Sequence, residues 1–388
     1  MQNFYYSIPT KVAFGKGEIQ KLPQFVKELG DKVLIVYGGG SIKRNGLFDT
    51  VASLLNENHI SYWELSGVDP NPRITTVEEG VKICRKHDIN VILPIGGGST
   101  IDCAKAVAAA VFYDGSAWDI ILDNSLVKNA LPIVTVLTLA ATGSEMDYFS
   151  VITNEETNDK MDIAHELLYP AYSIMDPEYT YTVPQYQTAS GTADIMSHIF
   201  EIYFCEAGDT YMQDRIMEGL LKTCIKYGPI ACKEPDNYDA RANLMWTSSW
   251  AINGFITSGK PSSWPCHAME HQLSAYYDVT HGHGLAVLTP ALMRYILSDK
   301  TVDKFATYGI NVFGIDSSKD KYEIANEAIH ATENVFKEMG LTLTLKELGI
   351  PDKENFEIMA KKAAVNQEYA WVPLTAADII KIYDACYE

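Results

Sequence analysis

The first half of the chain alternates short β-branched runs with stretches whose apolar residues recur at helical spacing. The β-branched runs occupy residues 32–37, 60–65, 90–95 and 131–137, and helical spacing occurs at 18–29, 48–58, 75–87 and 101–112. Strands that alternate with helices in this way form a parallel sheet with crossover helices. We therefore predict an α/β domain whose ligands lie at the carboxyl ends of the strands.

After Pro184 the periodicity is helical alone. Helices are predicted at 194–205, 211–227, 240–251, 267–276, 322–339 and 376–385. Thr375 and Asp378 form the pattern of a capping box in front of the last of these helices. We predict a boundary between Tyr181 and Gln187, with an α/β domain at 1–184 and an all-α domain at 185–388.

The overall charge balance argues against one class of partner. The 388 residues contain 31 Lys+Arg against 50 Asp+Glu, which gives a formal net charge of -19. Nucleic-acid binding needs clustered positive charge, so we expect no nucleic-acid partner. The uncharged stretches 129–144 and 244–259 are too short and too interrupted to span a bilayer, so we also expect no membrane partner.

The cysteines and the first residues bear on the compartment. The seven cysteines are scattered and contain no C-x-x-C pair. This pattern suggests neither a disulfide framework nor a cysteine-based zinc site. The first residues lack the basic-then-apolar layout of a secretory signal. We expect a cytoplasmic protein that begins near Met1.

Two glycine-rich turns follow predicted strands, one at 38–41 (GGGS) and one at 96–100 (GGGST). Glycines let the backbone approach an anion, and the start of the following helix favours negative charge. We expect Ser99 to cap that helix and Asp102 to return a hydrogen bond. A single triple glycine often makes only a tight turn. Two of them at strand ends predict a phosphate or pyrophosphate site, although neither matches G-x-G-x-x-G or the P-loop.

The first turn also bears on the choice of dinucleotide. A carboxylate in this place accepts hydrogen bonds from the ribose of NAD and repels the 2′-phosphate of NADP. Residues 38–41 are uncharged, and Lys43 and Arg44 follow them. This composition favours NADP, while simple solvation of Lys43 and Arg44 at the surface remains the alternative interpretation.

A set of histidines and one aspartate has the composition of a metal site. Its members form three pairs, Asp194 and His198, His267 and His271, and His281 and His283. The first two pairs have the spacing that places both side chains on one helix face. Three neutral imidazoles and one carboxylate suit a divalent transition metal and leave a position open for a substrate oxygen. Spacing alone does not choose between the members of the second and third pairs.

The order of these motifs resembles the iron-containing, group III alcohol dehydrogenases, particularly the branch of NADPH-dependent butanol dehydrogenases and aldehyde reductases. The resemblance runs over essentially the whole chain, through residues 4–15, 69–72, 96–105, 139–145, 194–198 and 267–284. It implies a Rossmann-like dinucleotide site in the α/β domain and a metal site in the all-α domain.

The resemblance also implies roles for particular residues. It assigns the metal to Asp194, His198, His267 and His281, places His271 beside the site as a proton relay, and gives His283 no ligand role. It implies that the cofactor lies over Gly38, Gly39, Gly40, Ser41, Asn71, Gly97, Gly98, Ser99, Asp102, Thr138, Thr142, Ser144 and Lys160. It favours Fe²⁺, with Zn²⁺ or another divalent ion as the alternative, and a homodimer in which the strand-like segment 4–14 is a candidate contact.

The function implied is metal-dependent hydride transfer between NADP(H) and short-chain aliphatic alcohols or aldehydes of the butanol type, in a cleft between the domains. Three alternatives stay open: an NAD-dependent polyol or glycerol dehydrogenase, a metal lyase similar to dehydroquinate synthase, and a protein in which the four metal-binding residues only hold helices together. Tyr148, Phe149, Phe255 and Trp264 are candidates for a pocket wall, although such residues more often belong to the core.

Overall fold

The computed structural model describes residues 1–206, 208–365 and 370–388. They form two compact units. The first unit is Ser7–Val183, and the second is Met1–Tyr6 together with Pro184–Glu388. The predicted domains at 1–184 and 185–388 differ from these units at the start of the chain, because Gln2 N donates a hydrogen bond to Gly259 O at 2.9 Å.

The first unit contains all the strands of the described chain. They are β1 (Lys11–Phe14), β2 (Lys32–Val36), β3 (Ser61–Leu65), β4 (Val91–Gly96), β5 (Val134–Leu137), β6 (Phe149–Asn154), β7 (Asp159–Ala164) and β8 (Tyr172–Met175). Six strands form a sheet in the order β1-β8-β5-β4-β2-β3, with parallel pairing throughout. The chain passes from β2 to β3 on one side and then returns to β4 on the other. Such a reversal opens a crevice at the carboxyl ends of β2 and β4.

Helices cover both faces of this sheet. They are α1 (Leu22–Lys27), α2 (Ser41–Arg44), α3 (Leu47–Glu57), α4 (Ile74–His87), α5 (Gly98–Ala110) and α6 (Asp119–Leu122). Successive strand residues point to opposite faces. Leu34 of β2 therefore belongs to a core with residues of α4 and α5, whereas its neighbour Val33 belongs to a core with residues of α1 and α3. The predicted α/β class is confirmed.

The predicted strands at 32–37, 60–65, 90–95 and 131–137 correspond to β2, β3, β4 and β5. The expected strand-like segment 4–14 is a strand only at Lys11–Phe14. The sequence did not predict β8 or the antiparallel hairpin of β6 and β7. Polar residues interrupt the apolar pattern of β7, and its turn uses Asn158 at a left-handed φ of 51°.

The second unit is helical. Its helices are α7 (Gln185–Tyr203), α8 (Tyr211–Lys233), α9 (Tyr238–Trp250), α10 (Pro265–Tyr277), α11 (His281–Ile296), α12 (Val302–Tyr308), α13 (Lys321–Glu338), α14 (Leu345–Leu348), α15 (Phe356–Ala363) and α16 (Ala376–Ala385). The capping box of Thr375 and Asp378 is confirmed. The sequence did not predict α11, because its first turn contains two glycines and its interior contains Pro290, and these residues are poor helix formers. Among the described residues, no helix is long and apolar enough to cross a membrane.

Helix α7 is the centre of the second unit, and every residue from Thr188 to Tyr203 on it is buried. The start of α11 approaches α7 at Gly282. A Cβ atom on Gly282 would lie 2.0 Å from the carbonyl oxygen of Ser190 and 3.3 Å from Cβ of Asp194. Because a backbone atom cannot move aside as a side chain can, only glycine permits this close approach.

We expect Gly282→Ala to destabilise the protein by about 1–3 kcal/mol or more, because the new methyl group overlaps the backbone of α7. Gly219→Ala on α8 is the matched control, since no atom of a described neighbour lies within 4 Å of its added Cβ. The control should stabilise by about 0.5–1 kcal/mol, because alanine is the better helix former. Thermal unfolding of both variants measures the difference, and equal midpoints would contradict the packing argument.

Candidate metal centre and cofactor site

The second glycine turn lies at the carboxyl end of β4, where it begins α5. A Cβ atom on Gly98 would lie 2.2 Å from Oγ1 of Thr142, and one on Gly97 would lie 3.0 Å from Cβ of Leu139. Thr138 N donates a hydrogen bond to Gly96 O at 2.9 Å. The segment after β5 therefore packs directly on this turn, and the structure brings these predicted cofactor residues together.

The predicted exchange of hydrogen bonds between Ser99 and Asp102 is wrong. Gly97 is the N-cap of α5, and no side chain caps it. Ser99 Oγ donates to Pro70 O at 2.5 Å. The Asp102 carboxylate accepts from Ser144 Oγ at 2.6 Å and from Val151 N at 3.0 Å. These donors come from segments that lie against α5, so Asp102 supports the surrounding loops instead of capping its own helix.

Two further predicted residues meet although they are distant in sequence. Lys160 Nζ, on β7, donates a hydrogen bond to Asn71 Oδ1 at 3.0 Å, and both side chains are buried. The hairpin that the sequence did not predict therefore carries one of the predicted cofactor residues.

The first glycine turn follows β2 and has an open surface. A Cβ atom added to Gly39 would have no atom of a described neighbour within 4 Å. Arg44 donates a hydrogen bond from Nη1 to Gly39 O at 3.2 Å and so lies against the turn. Lys43 forms an ion pair with Glu64 at 2.8 Å, and the hydrogen bond to Glu64 raises the pKa of Lys43 above its usual value. Glu64 thus partly neutralises the charge of Lys43, one of the two basic residues that follow the turn.

Three helices of the second unit bring the predicted metal residues together. Helix α7 carries Asp194 and His198 one turn apart, α10 carries His267, and α11 begins at His281. The Nε2 atoms of these histidines lie 3.4, 3.8 and 3.6 Å, respectively, from the same Asp194 oxygen, Oδ1. These separations are too long for good hydrogen bonds and suit ligand atoms that share one ion.

The buried atoms of this cluster fit a divalent metal. In the described part of the chain, Asp194 Oδ1 and His267 Nε2 are buried and have no hydrogen-bond partner. Burial of a polar atom without a partner is costly, and native proteins rarely leave such atoms unpaired. One ligand atom each from Asp194, His267 and His281 lies within 4.8 Å of the others. Nitrogen and carboxylate oxygen are ligands that Zn²⁺ and Fe²⁺ both accept.

Without a metal, the side chains of the cluster have pKa values that are shifted in different directions. Burial raises the pKa of Asp194, but the attraction of the histidines outweighs it and holds the pKa well below the usual range. Burial lowers the pKa of His198 to about 3. Burial also lowers that of His267, but the neighbouring carboxylates of Asp194 and Glu201 outweigh this effect and raise the pKa to about 9. A metal ion that binds at neutral pH would therefore displace a proton from His267.

The other two histidines of the predicted set have different surroundings. His283 points elsewhere, with Nδ1 3.0 Å from the Tyr186 hydroxyl and Nε2 3.0 Å from Thr342 O. The ring of His271 lies beside the cluster, with its centroid 5.6 Å from that of His281 and 6.3 Å from that of His267.

Two buried carboxylates that the sequence did not predict lie next to the cluster. Glu201 contacts His267 through the ring Nδ1 at 3.2 Å, and Glu270 is hydrogen-bonded to Nδ1 of His281. A sequence signal existed for Glu201, because it lies two helical turns after Asp194 and so on the same face of α7.

The candidate pocket aromatics have different surroundings. The Trp264 ring lies 5.9 Å from that of His198 and 5.1 Å from that of His267. Tyr148 and Phe149 stack on each other at 4.4 Å. A cavity of about 40 Å³, lined by Ser197, Glu201, Ser263 and Cys266 among others, has room for water.

Comparison with known families and proteins covers both units. Residues 9–177 match the family described as iron-containing alcohol dehydrogenase, and residues 188–387 match the Fe-containing alcohol dehydrogenase family, C-terminal. The chain is 55% identical to NADH-dependent butanol dehydrogenase A of Clostridium acetobutylicum, with 100% of both chains covered. It is 38% identical to NADPH-dependent aldehyde reductase YqhD of Escherichia coli, with 93% of each chain covered.

Solved structures agree with this similarity. NADH-dependent butanol dehydrogenase A of Thermotoga maritima is 37% identical and superposes with a TM-score of 0.94, covering 100% of this chain and 99% of that one. The structure of YqhD from Escherichia coli is 35% identical, also with a TM-score of 0.94, and covers 99% of each chain. The chain therefore belongs to the iron-containing alcohol dehydrogenase family.

Proposed function

We propose that the protein transfers hydride reversibly between NADP(H) and short-chain aliphatic alcohols or aldehydes of the butanol type, with one divalent metal, Fe²⁺ by family likeness. The observation that carries this proposal is the arrangement of three imidazole Nε2 atoms around one oxygen of Asp194. Family membership supplies the reaction class, since alcohol dehydrogenases exchange hydride with a nicotinamide cofactor.

The residues of the chain have distinct roles in this chemistry. Asp194, His198, His267 and His281 would hold the metal, and the Asp194 carboxylate would lower the net charge of the site. A bound metal supplies Lewis-acid polarisation of a carbonyl, and a bound nicotinamide supplies or accepts the hydride. The ring of Trp264 makes T-shaped contacts with the rings of His198 and His267 and so helps to hold them in place. His271 is half-buried beside the cluster and would hold or pass the proton at an imidazole nitrogen.

The preference for NADP(H) is the finer part of the proposal. Its support is an uncharged turn at 38–41 in which Gly39 is open to solvent and Arg44 lies against the backbone. The names of the relatives point in both directions, since the butanol dehydrogenase is called NADH-dependent and YqhD is called NADPH-dependent. The ion pair of Lys43 with Glu64 favours the NADH alternative, because it places a carboxylate near the turn.

We also propose a cytoplasmic homodimer. Strand β1 lies at the edge of the sheet, and Phe14 on it is 37% exposed. Edge strands with exposed apolar residues are suited to pair with another chain. Phe4 and Tyr5 are also exposed. All seven cysteines are free and buried, which is compatible with a reducing compartment.

The histidine variants test the metal assignment. We expect His267→Ala to lose bound metal and at least about 100-fold in turnover, because a ligand and its bond to the ion are removed. We expect His271→Ala to keep its metal and to lose about 10–100-fold in turnover through slower proton transfer. Elemental analysis and the rate of butanal reduction measure the two effects. His283→Ala is the control for general loss of a buried histidine, and equal metal loss in all three variants would refute the assignment.

The cofactor preference is tested at Gly39. We expect Gly39→Asp to lower the ratio of kcat/KM for NADPH to that for NADH by about 10–100-fold, because the new carboxylate would repel a 2′-phosphate. Gly39→Asn has nearly the same shape without the charge and should change this ratio much less. Steady-state rates with butanal and each cofactor give the ratio. A wild type that prefers NADH, or an unchanged ratio in Gly39→Asp, would remove the NADP proposal.

A further inference from the structure

We infer that Glu201 and Glu270 are positioning residues. Each orients one of the three proposed metal-binding histidines by contacting the Nδ1 atom of its ring. Each carboxylate contacts the Nδ1 atom of one imidazole, on the side of the ring opposite to the Nε2 atom that faces Asp194. The inference rests on the proposed metal site and adds to it the groups that fix the orientation of His267 and His281.

Glu201 connects the metal-binding face of α7 to α10. It lies seven residues after Asp194 on the same buried helix and is itself 7% exposed. One oxygen, Oε1, accepts a hydrogen bond from the backbone N of His267 at 2.9 Å and lies 3.2 Å from Nδ1 of the same residue. A single carboxylate oxygen therefore fixes both the backbone and the ring of His267 relative to Asp194.

Glu270 does the same for His281 from α10. Its side chain is completely buried, and its oxygen Oε2 is hydrogen-bonded to Nδ1 of His281. Its other oxygen, Oε1, accepts from Ser274 Oγ. A Cβ atom on Gly284 would lie only 2.9 Å from Cγ of Glu270. Glu270 is thus held by its own helix and by the glycine of α11, independently of any ion.

His198 lacks this kind of support. Its Nδ1 atom is buried without a hydrogen-bond partner among the described residues. Its ring instead stacks on that of His267 at 4.9 Å and contacts the edge of Trp264. Two of the three imidazoles are consequently oriented by carboxylates, and the third is oriented by its helix and by ring packing.

The two glutamates have two effects on a bound cation. A carboxylate that accepts the Nδ1 hydrogen leaves the Nε2 lone pair free to bind the ion and makes that nitrogen more basic. Together with Asp194, the glutamates also surround the site with three buried carboxylates, whose negative charge a divalent cation would partly compensate. Loss of such supporting groups typically weakens metal binding by about 10–100-fold.

The test uses Glu201→Gln and Glu270→Gln in the full chain. Glutamine keeps the shape of glutamate and removes its charge. Glu218→Gln is the control, because Glu218 is a buried carboxylate of the same unit that binds Tyr203 at 2.7 Å and Arg215 at 2.5 Å instead of a histidine. The protein is stripped of metal, and the Kd for Zn²⁺ is measured by competition with a chelator of known affinity. Thermal unfolding of the metal-free proteins reports on folding separately.

We expect each of the two variants to raise the Kd for Zn²⁺ by about 10–100-fold, while Glu218→Gln leaves it unchanged. If the wild type binds one Zn²⁺ but the two variants bind as tightly as the control, the positioning role is overturned and the metal site stands. If the wild type binds no Zn²⁺, the proposed metal site itself fails. If Glu270→Gln does not fold, Glu270→Asp replaces it, because the shorter side chain withdraws the carboxylate from Nδ1 of His281, and an unchanged Kd in Glu270→Asp would overturn the role of Glu270.

Discussion

The second unit is organised around one buried carboxylate. Asp194 Oδ1 faces three imidazole nitrogens from α7, α10 and α11 and has no hydrogen-bond partner in the described chain. Such an arrangement is costly when the atoms stay unpaired and becomes favourable when all of them bind one cation. The close contact of α11 with α7 at Gly282 brings the first residue of α11, His281, to within 3.6 Å of Asp194.

The first unit carries the proposed cofactor site, in which backbone groups of two glycine turns would approach an anion. Glycine turns follow β2 and β4, the two strands between which the order of the sheet reverses. At the second turn, the segment after β5 packs so closely that Gly98 has no room for a side chain. Asp102 and the buried pair of Lys160 and Asn71 fix the surrounding segments. Parallel strands that carry their loops at one edge make this convergence a property of the topology.

The sequence predicted most of the repetitive elements and a group of side chains that the structure brings together, because hydrophobic period and the spacing of histidines are local signals. It did not separate His267 from His271, since both lie on one helix face and only the position of α7 distinguishes them. It missed Glu201 and Glu270 because a glutamate in a helix ordinarily belongs to the surface. The sequence wrongly predicted that Asp102 caps its own helix, because the residues that Asp102 binds, Ser144 and Val151, are more than 40 residues away. Such contacts depend on tertiary packing, which no local pattern encodes.

The most direct test of the metal centre is a crystal structure of the metal-loaded protein with anomalous diffraction at the absorption edge of the metal. The predicted result is one anomalous peak about 2.0–2.2 Å from an oxygen of Asp194 and from Nε2 of His198, His267 and His281, with a coordination position left for substrate. Glu270, His271 and His281 also bring ligand atoms within 4.8 Å of one another. A peak on that second group, or an ion enclosed by protein ligands on every side, would contradict the proposed centre.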